Sequence, residues 1–346
     1  MFKSRQKNTT WLQKWFILGL ILLNSAMLIS CENKATIDAF QMNKKLGKAV
    51  NILGYDGAFW KNLESGRFQK KHFKIIKEGG FETVRVNLHP YSFMDSSYIL
   101  KDSWLKNLDW IVENALAADL NVILDLHEYN AMADDHVGKK ELFLSVWRQL
   151  APRYKSAPEN VLFELLNEPN RLLTIDLWNQ YLLEALVTVR ETNPNRFVII
   201  GPGNWNGYES LPTLKLPEND NRIIATFHFY HPMEFTHQGA PWSSQTKDIT
   251  GIKWEGALAD QKFIEDKFIE VSNWSKNNKR PLFLGEFGAY DKGDIDSRVH
   301  YTSFVARTAE KYGFSWAYWQ FDSDFIVYDI ENDQWNEPIH KALIGN

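Results

Sequence analysis

The 346-residue sequence has little cysteine: its single one, Cys31, lies near the amino terminus. With no second thiol, no disulfide can form within the chain, so burial of apolar side chains must stabilise the fold. Apolar residues make up 44% of the sequence and charged residues 24%, which is usual for a globular protein with a large core. The composition therefore excludes a disulfide-stapled miniprotein, a fibrous repeat and a wholly disordered chain.

The sequence also lacks an excess of positive charge. Its formal net charge is −4, and residues 1–30 hold four basic side chains and no acidic one, which leaves −8 for the remainder. A surface with this balance does not suit nucleic acid, so we expect no nucleic-acid partner.

The first 30 residues lack a run long enough to span a membrane comfortably, but they have the parts of a secretory signal. A basic start precedes an uninterrupted apolar core at 16–23. The sequence Leu28-Ile29-Ser30-Cys31 then resembles the bacterial lipobox, in which cleavage leaves the cysteine to carry diacylglycerol. We therefore predict a signal peptide over 1–30, lipidation of Cys31, and an extracytoplasmic protein anchored by lipid to a bacterial membrane, on its periplasmic or cell-surface side. The alternative is an uncleaved anchor helix with an incidental cysteine.

The rest of the chain has no interdomain linker and no short repeat. Residues 31–47 are polar and aperiodic, which predicts a tether. From 48 to 346, short apolar runs alternate with amphipathic stretches of helical spacing. Eight runs are predicted strands: 49–55, 81–88, 121–127, 161–167, 196–201, 222–230, 281–286 and 314–321.

Apolar strands that alternate with helices indicate a parallel sheet covered on its outer face. Eight such units predict one α/β domain, a single (β/α)8 TIM barrel, which we expect to be monomeric. The fifth unit is weak, because Pro212 and Pro217 limit its helical stretch at 208–216 to a turn or two.

Active sites of such barrels form at the carboxyl ends of the strands and in the loops beyond them. In chain order, the predicted strand ends present the following side chains: Arg85, His127, Asn167, Glu168, Trp205, His228, Tyr230, Glu286 and Trp319. Glu168 and Glu286 belong to strands four and seven, so we expect them to lie roughly opposite across the barrel mouth. Two carboxyl groups that flank one bond are what glycoside hydrolysis requires, one to protonate the departing oxygen and one to attack or to activate water.

Aromatic residues are abundant, at 14% of the chain. Trp205, Trp242 and Trp319 follow strands five, six and eight on the predicted catalytic side, where indole faces can stack on sugar rings. We therefore expect these three to bind substrate, with Trp60 and Tyr129 as further candidates. Tryptophans on predicted helices are expected to pack instead: Trp104, Trp110, Trp147, Trp178 and Trp274.

Two segments carry a family resemblance. Leu166-Asn167-Glu168-Pro169 on strand four and Leu284-Gly285-Glu286-Phe287-Gly288 on strand seven resemble the two signatures of glycoside hydrolase family 5. The resemblance extends from about residue 48 to the end, and residues 228–242 are similar to members that cleave β-1,4-glucans, some of which also accept mannan. It implies a retaining (β/α)8 enzyme.

The resemblance also implies the catalytic role of each glutamate. Glu168 would be the general acid and base, a role that needs a raised pKa, and Glu286 would be the nucleophile that forms a covalent glycosyl-enzyme. Arg85 and Tyr230 can donate hydrogen bonds to Glu286 and keep it ionised. The remaining residues are expected to bind sugar hydroxyls or to orient the carboxyl groups: His127, Asn167 and His228.

Together with the paired carboxyl groups, the resemblance implies an endo-acting hydrolase of β-1,4-glucan, either cellulose or mixed-linkage β-glucan, with a polysaccharide as its partner and no cofactor or metal. A zinc site is the alternative use of the histidines, but the first strand has no His-x-His pair and His228 and His231 lack a partner set. A β-1,4-mannanase or a broad glucan and mannan hydrolase is an alternative function, since glucose and mannose differ only at the 2-hydroxyl. A non-catalytic surface glycan-binding lipoprotein is the second, and the presence of both glutamates favours the enzyme.

Overall fold

Eight parallel strands close into a barrel, in the order of the chain. The computed structural model describes Met1 and residues 37–345. The strands are β1 (Lys48–Ile52), β2 (Thr83–Leu88), β3 (Asn121–Leu126), β4 (Val161–Glu164), β5 (Val198–Ile200), β6 (Ile223–His228), β7 (Leu282–Phe287) and β8 (Ser315–Tyr318). Lys48 of β1 pairs with Trp316 of β8, which closes the sheet. The predicted (β/α)8 barrel is confirmed.

Helices cover the outside of the barrel. They are α1 (Ala39–Leu46), α2 (Gly57–Lys61), α3 (Lys70–Glu78), α4 (Asp102–Ala117), α5 (Tyr129–Asp134), α6 (His136–Arg153), α7 (Ile175–Thr192), α8 (Met233–Thr236), α9 (Leu258–Asn278), α10 (Ile295–Lys311) and α11 (Glu337–Ile344), with 3₁₀ turns at Leu63–Ser65 and Tyr91–Phe93. Between β5 and β6 lies a 3₁₀ helix, Tyr208–Thr213, as the prolines predict. A two-stranded sheet of β9 (Tyr328–Asp329) and β10 (Gln334–Trp335), which the sequence pattern did not indicate, follows β8.

The core fills the barrel and the layer between its strands and helices. Every residue of β2, β6 and β7 is buried, as expected for strands covered on both faces. Two helix tryptophans join the layers: Nε1 of Trp147 donates to the Leu165 carbonyl at 3.1 Å, and Nε1 of Trp178 donates to the Gly201 carbonyl at 2.8 Å. Both carbonyls lie just beyond a strand end, so these helices fix the backbone that leads into the barrel mouth.

The prediction of a tether over 31–47 is wrong for its described part. Residues Ala39–Leu46 form α1, and the unit that carries the barrel begins at Asp38 rather than at 48. The Asp38 side chain accepts the Gln41 N–H at 2.8 Å, and the Gln41 side chain accepts the Asp38 N–H at 3.0 Å. This capping box begins the helix, and burial of Met42 and Leu46 holds it against the barrel.

Asn43 attaches α1 to the amino-terminal end of the barrel. Its Nδ2 donates to the Leu282 carbonyl at 2.9 Å, and its Oδ1 accepts from the Ser315 hydroxyl at 2.7 Å. Since Leu282 and Ser315 begin β7 and β8, the helix covers the end of the barrel opposite the predicted site.

The predicted signal peptide, apart from Met1, and Cys31 lie outside the described residues. Within residues 37–345, no helix combines the length and the apolar character that a membrane crossing requires.

Candidate active site

The carboxyl ends of the strands open into a cleft of about 930 Å³, a volume usual for ligand sites. Apart from the further candidates Trp60 and Tyr129, all but one of the residues predicted for the site in the barrel line it: His127, Asn167, Glu168, Trp205, His228, Tyr230, Trp242, Glu286 and Trp319. The exception, Arg85, lies fully buried beneath the cleft floor. The structure thus brings the predicted set together.

Arg85, on β2, is the buried cation of this region. Its Nη1 donates to Oε1 of Glu286 at 2.9 Å, and its Nη2 donates to Oδ1 of Asn167 at 2.8 Å. Glu164, at the end of β4, accepts from Nε and Nη2 at 2.7 and 2.8 Å, a two-pronged contact that fixes the guanidinium plane. Burial alone would lower the pKa of Arg85, but the carboxylates of Asp125, Glu164 and Glu286 raise it well above its usual value.

Glu286, on β7, has donors on both carboxylate oxygens. Arg85 bonds to Oε1, and the Tyr230 hydroxyl donates to Oε2 at 3.0 Å. Burial raises the pKa of Glu286 to about 7, with Glu168 adding to the rise while His228 and Arg85 oppose it. Its side chain is 6% exposed, so water contributes little to the stability of its charge.

Glu168 follows β4 with a positive φ of 42°, and its side chain keeps 15% exposure. Its Oε1 lies 2.8 Å from Nδ1 of His228, the last residue of β6. Burial raises the pKa of Glu168 to about 8, while Arg85 opposes the rise. Burial also lowers the pKa of His228, which favours a neutral ring beside this carboxyl.

The two carboxyl groups therefore differ in their affinity for a proton. Arg85 and Tyr230 donate hydrogen bonds to Glu286 and so favour its ionised form, whereas Glu168 faces a ring whose pKa is lowered by burial. One oxygen from each carboxyl and one nitrogen of His228 all lie within 4.8 Å of one another. The arrangement therefore suits one ionised carboxyl, Glu286, held close to one protonated carboxyl, Glu168.

The same three side chains have a spacing that could hold a metal ion. Arg85, however, bonds to Glu286 at 2.9 Å, and a cation bound there would meet that positive charge at close range. The Tyr230 hydroxyl takes up the second oxygen of Glu286. This donor set suits a proton better than a metal.

His127 lies just past β3. Its Nδ1 is 2.6 Å from Oδ2 of Asp125, and its ring stacks on Trp319 with the centroids 5.3 Å apart and the planes 10° apart. Burial lowers the pKa of His127 well below its usual value, and Arg85 lowers it further. A neutral His127 thus fixes the indole of Trp319 at the cleft wall.

The tryptophans of the cleft differ in exposure. Trp205 and Trp242 are 46% and 48% exposed, whereas Trp319 is 6% exposed. Tyr129 also lines the cleft, as predicted. The suggestion that Trp60 binds substrate is wrong: it is 1% exposed and stacks on Trp104 at 5.1 Å in the core.

Sequence reasoning missed several residues around the site. Asp125 and Glu164 precede the predicted strand ends by two and three positions, where an acid inside an apolar run is itself a signal of a buried ion pair. Tyr55, beyond β1, lines the cleft beside Trp319. Asn206 is fully buried and lies 3.4 Å from Nε2 of His228, although it follows the exposed Trp205 in sequence. The residues next to it in sequence gave no sign of this buried position.

Comparison with known proteins agrees with this geometry. The sequence profile of the family described as Cellulase (glycosyl hydrolase family 5) matches residues 43–324. Endoglucanase H of Acetivibrio thermocellus is 29% identical over 320 residues, which cover 89% of this chain but only 34% of that protein. This chain therefore spans about a third of that relative's length.

Solved structures extend the likeness. The crystal structure of endoglucanase Cel5A from Thermotoga maritima is 40% identical with a TM-score of 0.85, and the match covers 89% of this chain and 100% of the other. A structure of Thermotoga maritima Cel5A in complex with mannotriose is 39% identical with a TM-score of 0.84 and the same coverage. Since the family profile matches well over half of the chain, this protein belongs to glycosyl hydrolase family 5, the cellulase family, and is a glycoside hydrolase.

Proposed function

We propose that the protein is a retaining endo-β-1,4-glucanase that cleaves cellulose or mixed-linkage β-glucan. The observation that carries this proposal is a pair of carboxyl groups in unlike surroundings, with one oxygen of each within 4.8 Å of the other: Arg85 and Tyr230 donate to Glu286, whereas His228 lies beside Glu168. Retaining glycosidases hold their carboxyl groups about 5 Å apart, whereas inverting enzymes leave about 6.5 to 9.5 Å for a water molecule.

In the first step, Glu286 attacks the anomeric carbon while Glu168 gives its proton to the departing glycosidic oxygen. The carbon–oxygen bond of the polymer breaks, and a glycosyl ester forms on Glu286. In the second step, the Glu168 carboxylate takes a proton from water as that water attacks the anomeric carbon and releases Glu286. Each group ends the cycle in the protonation state in which it began.

The surrounding residues supply charge and position. Arg85 and Tyr230 stabilise the ionised form of Glu286 before attack and again as it leaves. Asn167, held by Arg85, is placed beside the acid to bond the sugar 2-hydroxyl, a contact that strengthens as the ring gains positive charge. The exposed faces of Trp205 and Trp242 can stack on sugar rings further along the polysaccharide, which favours binding in the middle of the polymer.

Mannan hydrolysis is the second candidate. It is favoured by the 39% identical Thermotoga maritima Cel5A, whose structure contains mannotriose. Glucose and mannose differ only at the 2-hydroxyl, so an enzyme with a tolerant contact at that position accepts both.

Two measurements on the purified protein test the proposal. A reducing-sugar assay over carboxymethylcellulose, barley β-glucan, xyloglucan, xylan and mannan should show the fastest cleavage on the first two. NMR of the first-formed product should show the β anomer before mutarotation. Preferential cleavage of mannan would select the second candidate, and an initial α anomer would contradict the retaining mechanism.

We also propose that the enzyme is lipid-anchored through Cys31 on the outer side of a bacterial membrane. Support comes from the basic segment, apolar core and lipobox-like sequence that precede the only cysteine. Several acyl chains on one cysteine hold a protein durably, whereas a single chain binds marginally. Mass spectrometry of the mature protein should find lipid on Cys31, and an unmodified terminus cut elsewhere would contradict the anchor.

A further inference from the structure

The loop after β5 contains three consecutive residues in the left-handed region. Asn204, Trp205 and Asn206 have φ values of 60°, 58° and 52°. Asparagine tolerates this conformation, but a bulky residue such as tryptophan pays roughly 1 kcal/mol or more. The turn directs neighbouring side chains to opposite sides: Trp205 is 46% exposed in the cleft, and Asn206 is fully buried behind the acid.

The surroundings of Asn206 determine which way its amide faces. One end of the amide lies 2.9 Å from the carbonyl oxygen of Pro202, and the other lies 3.3 Å from the backbone nitrogen of Glu168. A carbonyl oxygen can only accept a hydrogen bond, and a backbone N–H can only donate one. The orientation that satisfies both has the amide nitrogen toward Pro202 and the amide oxygen toward Glu168.

This orientation has a consequence for His228. The amide position that faces the Glu168 N–H also lies 3.4 Å from Nε2 of His228. An amide oxygen there only accepts, so it favours the tautomer that carries the hydrogen on Nε2. In a neutral imidazole Nδ1 then has a free lone pair, and that nitrogen lies 2.8 Å from Oε1 of Glu168.

We propose that Asn206 is a positioning residue, which holds His228 in its Nε2–H form so that Nδ1 accepts a hydrogen bond from protonated Glu168. Ionised Glu168 would set a carboxylate oxygen against the lone pair of Nδ1, whereas the protonated acid satisfies it. The resting enzyme therefore keeps its proton on Glu168 until a glycosidic oxygen takes it. This inference rests on the proposed function, in which Glu168 is the general acid.

Other groups around Glu168 do not substitute for this contact. The charged and titratable groups that interact with Glu168 come from β2, β3, β6 and β7, from the loops beyond β1 and β6, and from α5: Arg85, Asp125, His228, Glu286, Tyr55, Tyr230 and Tyr129. Arg85 favours ionisation of Glu168, and Asp125 opposes it. Burial lowers the pKa of His228, although the carboxylate of Glu286 opposes this shift. The resulting neutral ring can accept a hydrogen bond from Glu168 without taking its proton.

Two substitutions at Asn206 should have different effects on the alkaline limb of the kcat/KM profile. Asn206→Gly suits the positive φ but removes the acceptor, so His228 can donate from Nδ1 to ionised Glu168, and the limb should move down by about half a pH unit or more. Asn206→Asp keeps an acceptor toward Nε2 and adds negative charge, so the limb should stay or move up. Asn204→Gly, in the same turn, controls for loosening of the loop and should leave the limb in place.

A purely structural role would lower kcat in every variant without moving the limb, and that result would overturn the proposal. The proposal would also be overturned if Asn206→Asp moved the alkaline limb to lower pH, as Asn206→Gly does.

Neutron diffraction of crystals of the protein at neutral pH reads the hydrogens directly, without reference to activity. We expect deuterium on Nε2 of His228 and on Oε1 of Glu168. Deuterium on Nδ1 with none on Nε2 would overturn the proposal even if Glu168 is the acid. Conversely, if Glu168→Gln remained active, the proposed function would fail whatever the tautomer of His228.

Discussion

The two sides of the barrel mouth hold chemically identical side chains in different surroundings. On one side, Glu286 accepts from the cation Arg85 at 2.9 Å and from the Tyr230 hydroxyl at 3.0 Å. On the other, Glu168 faces the ring of His228 at 2.8 Å, and burial lowers the pKa of that ring. A carboxyl bonded to a buried cation ionises first, while one beside a neutral ring keeps its proton. The neighbours thus decide which glutamate attacks and which donates a proton.

Replacing either glutamate with glutamine should give the largest effect. We expect Glu286→Gln and Glu168→Gln each to lower kcat on β-glucan by three orders of magnitude or more, a barrier increase of about 4 kcal/mol. Circular dichroism should show unchanged folding, because an amide has nearly the shape of a carboxyl. Near-normal turnover in either variant would remove that residue from its role.

Substrates with an activated leaving group distinguish the role of Glu168 from that of Glu286. An aryl glycoside with a good leaving group needs no proton, so Glu168→Gln should still show a burst of released phenol, while Glu286→Gln should not. A burst in both variants, or in neither, would contradict the division of roles.

Arg85→Lys should have the next largest effect, since lysine cannot reproduce the two-pronged contact with Glu164 while bonding to Glu286. We expect kcat to fall by about a hundredfold and the acidic limb of the pH profile to move up, because ionised Glu286 loses a partner. Arg298, a buried arginine that donates to the backbone carbonyls of Ala289 and Phe325, provides the matched control. Arg298→Lys should alter thermal stability without moving the limb.

Stability should depend on pH through Glu168. Its pKa is about 8 in the folded protein and about 4.3 in the unfolded chain, so the fold binds this proton more tightly. That contribution is complete below about pH 4.3 and is lost as the pH rises through 8. Since glutamine cannot ionise, Glu168→Gln should be more stable than wild type at pH 8, by about 1 kcal/mol or more, with the difference shrinking toward pH 5.

Urea unfolding at the two pH values measures this difference, with exposed Glu218→Gln as the control. A difference between wild type and Glu168→Gln that is equal at both pH values would show that the fold does not retain this proton.

The exposed tryptophans should give the smallest effects. We expect Trp205→Ala and Trp242→Ala each to raise KM on polysaccharide about two- to tenfold with kcat nearly unchanged, since a stacked ring contributes about 0.5–1.5 kcal/mol. Phe40, half exposed on α1, is an aromatic control at the opposite end of the barrel. If Phe40→Ala raised KM equally, stacking in the cleft would not explain the effect.

Much of this architecture could be predicted because parallel strands leave strong local signals. Each strand is a short apolar run, and in a barrel the residues that end those runs converge by topology alone, as His127 and Glu286 do. The buried acids Asp125 and Glu164 were overlooked because a charge inside an apolar run reveals its partner only in three dimensions.

Two other features show the limits of periodicity. The helix α1 was not predicted because it is short and half of its eight residues are polar, although the Asp38 and Gln41 capping box was present in the sequence. Asn206 could not be placed, since its position depends on three successive left-handed residues that the surrounding structure imposes.

The most direct test of the central claim is to trap the intermediate. Incubation with a 2-deoxy-2-fluoro cellobioside that carries an activated leaving group should label the protein once. The fluorine slows both steps, but the activated leaving group restores the rate of the first step alone, so the glycosyl-enzyme accumulates. Proteolysis and mass spectrometry should then find the sugar on the peptide that contains Glu286. A label on Glu168 or elsewhere, or no label while ordinary aryl cellobiosides are still hydrolysed, would contradict the account.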